Sequence, residues 1–198
     1  MKLAMREFGL AALAAGVLTL ALSSDASAQR KLSFAYDQPV TTAYGIAANL
    51  FDEKLKALSG GKLSINQFPG AQLGTEPQML QKLRAGDIDF VITATANAAS
   101  VAPQAGVFSL HFIFRDEDHL AKALADKEVS GAFRAMIRDS MQGAQVIGLI
   151  TMGFRNMYGK KEISKVEDIK GLKVRVQATK TEDTHFPAYG AQTVHMPF

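Results

Sequence analysis

Between Lys31 and Ala94 the apolar pattern alternates between two periods, and nothing else in the chain limits its fold as strongly. Residues 31–36 read as a strand. Residues 44–58 place Ile46, Ala47, Leu50, Phe51, Leu55 and Leu58 on one helical face, and Gly60-Gly61 ends it. Residues 63–68 alternate and fit a second strand. A second helix starts from Thr75 as N-cap, with Pro77 in its first turn. Met79, Leu80 and Leu83 form its buried stripe and Gly86 its stop. Residues 88–94 are almost continuously apolar, as in a strand covered on both faces. Strand–helix–strand–helix–strand at this spacing predicts an open, mainly parallel α/β sheet.

The remainder keeps to the same class. A loop of small residues (96–106) leads into an apolar run (107–114). Asp116-Glu117-Asp118 puts acidic charge at the start of a helix to about residue 126, where the helix dipole favours it. Another helix is expected over 129–142. Strands are expected at 145–151 and, past Gly153, at 154–158. A helical turn (166–169), a strand (172–177), a helix (181–189) and a strand over 193–196 follow. The chain stops at Met196-Pro197-Phe198, apolar and in mid-pattern, and is expected to be a polypeptide cut short.

Residues 1–28 are set apart from this pattern. Lys2 and Arg6 precede an apolar run from Phe8 to Leu22, and the small residues Ala26-Ser27-Ala28 follow. The run is shorter than the roughly 20 residues of a spanning helix, so the segment is expected to be an export signal cleaved after Ala28. With no cysteine in the chain, a disulfide scaffold, a thiolate metal site and a cysteine nucleophile are excluded. Together these features point to the periplasm. The 22 Lys+Arg against 19 Asp+Glu leave a net charge of +3, which suits an anionic ligand as well as nucleic acid. Basic residues do not cluster with aromatics, so nucleic-acid binding is not expected.

Motifs for catalysis are missing. The sequence holds no Gly-x-Ser-x-Gly, no His-Glu-x-x-His and no phosphate-binding glycine loop. His111, His119, His185 and His195 are scattered, without the i,i+4 pairing of a helical metal site. Asp87 and Asp89 flank Ile88 at a helix-to-strand turn, where capping and solvation account for them. Two arginines stand out. Arg155 lies between Phe154 and Asn156. Arg175 lies in Leu172-Lys173-Val174-Arg175-Val176-Gln177, opposite the apolar face formed by Leu172, Val174 and Val176. It is either a solvent-facing arginine on a half-buried strand or a guanidinium fork for a carboxylate. Pattern alone leaves both open.

At these residues the chain resembles a known family, the periplasmic substrate-binding subunits of tripartite ATP-independent periplasmic (TRAP) transporters. The resemblance runs from about Lys31 to Phe198. It is carried by the segments Phe68-Pro69-Gly70-Ala71-Gln72-Leu73-Gly74, Met79 to Phe90, Gly153-Phe154-Arg155-Asn156, Asp168 to Val176 and Met196-Pro197-Phe198. The resemblance implies a two-lobed α/β binding protein of type II-like architecture, with an organic acid held between the lobes. Residues 29–152 would form the first lobe and 153–198 the beginning of the second, which is incomplete in this chain. Arg175 would pair with the ligand carboxylate, Arg155 would line the same cleft and Phe198 would pack over the ligand. Asp37 and Thr93 to Asn97, chiefly Thr95 and Asn97, would contribute from the first lobe. Glu182 would accept ligand hydroxyls, or form a helix N-terminal charge pair with Asp183. No metal, cofactor or catalysis is implied. The expected partners are a small organic acid and the small and large TRAP membrane subunits, with the protein itself a monomer.

Gln177 stands where many relatives have proline, and Asp37 is not the most familiar residue at its position. Rival readings are a periplasmic sensing module on the same fold, a hydrolase, and a binding protein of the ATP-driven transporters. The last lacks the run from Gly171 to Val176 at this position.

Overall fold

The structure, a computed structural model, describes residues 29–196. The segment read as an export signal and Phe198 lie outside the described residues. Strand β1 (Arg30–Ala35) is central in a parallel sheet between β2 (Leu63–Phe68) and β3 (Phe90–Val91). Helices α1 (Ala43–Leu58) and α2 (Glu76–Ala85) make the connections. Neighbouring strand residues point to opposite faces, and the packing follows this rule. Phe34, Tyr36 and Ile65 pack with Tyr44 and Ala48 of α1, whereas Ala35 packs with Met79 of α2. The sheet is therefore covered on both faces.

Helix α1 is rolled relative to expectation. Its buried stripe is Tyr44, Ala48, Phe51 and Leu55, while Ile46 and Leu50 are more than half exposed and Leu58 is almost fully so. Aromatic packing sets the roll. Tyr44 meets Tyr36 edge-on at 6.3 Å, and Phe51 lies 5.4 Å from Phe34 and 4.9 Å from Phe90. Ile46 and Leu50 then fall on the far side of a helix with 3.6 residues per turn. Helix α2 follows its pattern, with Met79 and Leu80 buried. Gly86 ends it at φ 85°, a left-handed conformation that glycine adopts without strain.

Strand β3 covers two of the seven residues expected to be extended strand. Its hydrogen-bonding groups are diverted to side chains at both ends. Before it, the Asp89 amide donates to Ser33 Oγ at 2.8 Å. After it, the Ala94 amide donates to Glu76 Oε2 at 2.9 Å. The Ser33 amide above all, and with it the Ser33 hydroxyl, both donating to Asp89 Oδ2 at 2.8 Å, hold the Asp89 carboxyl below its ordinary range.

Helix α3 (Thr95–Ala98) and a 3₁₀ segment (Pro103–Ser109) lead to α4 (Glu117–Ala125) and α5 (Lys127–Ser140). Phe133, Ile137 and Met141 of α5 and its C-terminal end bury against Leu80, Ala102 and Ala105. Helix α5 begins two residues before expectation because Asp126 caps it, accepting from the Glu128 and Val129 amides at 2.8 and 2.9 Å. Asp126→Ala is expected to cost about 1 kcal/mol in urea unfolding.

The strands expected at 145–151 and 154–158 do not form. No described strand runs beside them, and a ladder requires a neighbour. Arg134 Nη1 instead reaches the carbonyls of Val146 and Ile147, both at 3.3 Å. Beyond them a second parallel sheet pairs β4 (Lys173–Val176) with β5 (Gln192–His195) through α6 (Lys180–Ala188), around Ile169, Val176, Phe186 and Ala191. No helix among the described residues is long and apolar enough to cross a membrane.

Candidate functional site

The chain leaving β1 is held by backbone bonds from Ala71 to the Tyr36 carbonyl and from Gly70 to the Gln38 carbonyl. A Cβ at Gly45 would overlap the Val40 carbonyl oxygen, so glycine lets this loop close onto the start of α1. The closure buries Asp37 near Tyr44, whose hydroxyl feels its charge. Asp37 is 8% exposed and its Oδ1 has no hydrogen-bond partner among the described residues.

Glu76 opens α2 and is 3% exposed. Its Oε2 accepts from Thr93 Oγ1 at 2.8 Å, the Ala94 amide at 2.9 Å and Asn97 Nδ2 at 2.7 Å. Burial first, and the Asp37 charge with it, push the Glu76 carboxyl up to about 7 against the pull of the bonds from Asn97, Thr93 and Ala94. Burial, then the charges of Glu76 and Asp37, raise the Tyr44 hydroxyl above its ordinary range, while Arg155 acts the other way.

The Arg155 guanidinium, whose charge Tyr44 feels, contacts the unit that carries the second sheet. Its Nη1 donates to Gln177 Oε1 at 3.1 Å and to Glu182 Oε1 at 3.4 Å. Glu182 is buried at the start of α6, with Thr179 as N-cap. His111 Nε2 stands 3.5 Å from Glu182 Oε2, and His111 Nδ1 is 3.1 Å from the Tyr189 hydroxyl. Burial lowers the His111 pKa against the opposing charge of Glu182, and the charges of His185 and Arg155 lower it further. Arg175 is exposed on the same face of β4 as Lys173, with Val176 buried on the other. It makes no ion pair among the described residues, so its fork is open to solvent.

The structure thus groups Asp37, Asn97, Arg155 and Glu182 in one polar region. Thr95 lies beside it, its hydroxyl 3.2 Å from that of Ser109. Tyr44, Glu76 and His111 belong to the region and were not expected there. Glu76 was legible in principle, since it precedes Met79 by three residues and Leu80 by four. That spacing puts a glutamate on the buried face of α2. An apolar hollow of about 470 Å³ between Phe108, Phe114, Phe133 and Met136 holds none of these groups. No cluster of three metal-ligating side chains occurs among the described residues.

Buried acceptors together with the Arg155 guanidinium can hold a small molecule carrying both a carboxylate and hydroxyls. The chain is similar to known solute-binding proteins. The sequence profile of bacterial extracellular solute-binding proteins, family 7, matches residues 34–198. The 2,3-diketo-L-gulonate-binding periplasmic protein YiaO of Escherichia coli strain K12 is 30% identical over 179 residues, 90% of this chain and 54% of that protein. A TRAP periplasmic solute-binding protein of Citrobacter koseri, solved with bound D-glucuronate, has 31% identity and a TM-score of 0.78, over 85% of this chain and 56% of that one. A TRAP periplasmic solute-binding protein of Sulfurospirillum deleyianum, solved with bound succinate, has 27% identity and a TM-score of 0.76, over 85% and 54%. The chain spans about half the length of the relatives it matches.

Proposed function

Since this chain belongs to family 7 of the bacterial extracellular solute-binding proteins, we propose that it captures an organic acid between two lobes and delivers it to TRAP membrane subunits. Residues 29–152 are assigned to the first lobe and 153–198 to the second. Export through residues 1–28, with cleavage after Ala28, would place the protein in the periplasm as a monomer. It performs no catalysis in this reading. The family consists of proteins that bind solutes.

The observation that carries the proposal is the position of Arg155, in contact with Gln177 and Glu182 and close to Tyr44. A guanidinium between two sheets gains a bidentate partner when a ligand carboxylate arrives, and closure follows from that differential affinity. Arg175 is assigned the principal carboxylate contact, with Arg155 second and Asp37, Thr95, Asn97 and Glu182 taking the hydroxyls. Phe198 is assigned the aromatic cover. Arg175→Lys keeps the charge but loses the planar fork. It is expected to weaken D-glucuronate binding at least about tenfold by calorimetry, a loss near 1.4 kcal/mol. Unchanged affinity would remove the carboxylate clamp from the account.

A further inference from the structure

Two buried acids, Asp37 and Glu76, lie on the first-sheet side of the polar region, and the Arg155 guanidinium lies against Glu182 on the other. Asp37 Oδ1 is the telling atom, since it is buried and has no donor among the described residues. A buried carboxylate oxygen without a donor is costly. Water or a ligand hydroxyl can donate to it, but an ionised ligand carboxylate cannot, because it carries acceptors only. Glu76 is a second buried acid beside it, its Oε2 accepting from Thr93, Ala94 and Asn97. Tyr44 adds a hydroxyl close to both carboxylates.

Building on the acid-binding reading above, we infer that Asp37, Tyr44 and Glu76 form a hydroxyl-reading end of the site, so that the solute is a polyhydroxylated monocarboxylate and a four-carbon dicarboxylate is rejected. The carboxylate goes to the arginines and the hydroxyls to the acids. A second carboxylate would instead meet two buried acids. Such like-charge contact is strongly unfavourable, and selectivity arises from this repulsion as much as from attraction.

The test is calorimetry on the full chain at a pH near 8, where Glu76 is ionised. D-glucuronate, D-galacturonate and D-erythronate are compared with succinate and fumarate. The tightest sugar acid is expected to bind at least about 100-fold more tightly than the tightest dicarboxylate. In Asp37→Asn/Glu76→Gln the ratio should fall below about tenfold as the repulsion goes. Asp37→Asn alone, expected to narrow the ratio part-way, serves if the double variant loses its cooperative melt. A dicarboxylate within about tenfold of the best sugar acid in the unaltered chain overturns the inference and leaves acid binding intact. So does an unchanged ratio in a folded variant. If no acid of either class binds, acid binding itself fails and the inference falls with it.

Discussion

Raising the pH from about 5 to about 8 is expected to remove stability on the order of 3 kcal/mol through Glu76 alone, and Glu76→Gln is expected to abolish that part. Burial and the Asp37 charge lift this carboxyl from 4.5 to about 7. Between those values the folded chain keeps a proton that the unfolded chain has released. The contribution is therefore complete below the unfolded value and lost as pH rises through about 7. The gap between the two values, at about 1.4 kcal/mol per pH unit, sets the magnitude. His111 has the opposite sign. Its folded pKa lies below the ordinary 6.5, so its contribution is present above that value and lost as pH falls. Asp89 and Asp183, held low chiefly by Ser33 and His195, lose theirs only below the ordinary carboxylate range. Urea unfolding of both proteins across this range isolates Glu76 as a difference curve. A flat difference curve would show that Glu76 carries no shifted proton.

The second large effect belongs to Arg155. Arg155→Ala is expected to weaken D-glucuronate binding at least about 100-fold, in line with truncating one partner of a charge pair that ligand closure desolvates. The same substitution should raise the His111 pKa, because the guanidinium charge now holds it down. Nuclear magnetic resonance titration of the His111 ring reads this without ligand. A purely packing role for Arg155 would leave His111 unmoved. The side chain is 61% exposed, so the unliganded protein should melt within a few degrees of the parent. Loss of binding with an unmoved His111 would place Arg155 away from the Glu182–His111 group and contradict the geometry.

Periodicity revealed those parts of the chain where local pattern and tertiary packing agree. Residues Leu63–Phe68 form the expected strand, and Met79 and Leu80 form the expected stripe of α2. The unit β4–α6–β5 appears where the alternation of Leu172 to Gln177 and the acids at Glu182 and Asp183 suggest it. The failures are non-local. The roll of α1 depends on aromatic rings from β1 and its end and from β3, which no window of α1 contains. Residues 145–158 have the apolar content of strands, but a strand exists only beside a partner. In the polar region, Asp37, Asn97, Arg155 and Glu182 were approached through family resemblance. Glu76 was overlooked because a glutamate in a first helical turn has an ordinary explanation in the helix dipole. Only its place on the buried face separates it from that case.

Melting the full chain with and without organic acids is the most direct measurement of whether the polar region binds them. With no tryptophan in the chain, scanning calorimetry is the suitable readout. At about 100 times its dissociation constant a true ligand adds about 2.7 kcal/mol and raises Tm by several degrees. D-glucuronate or another sugar acid is expected to give that rise, and neutral D-glucose to give none. No rise with any carboxylate, at concentrations well into the millimolar range, would contradict acid binding by this chain.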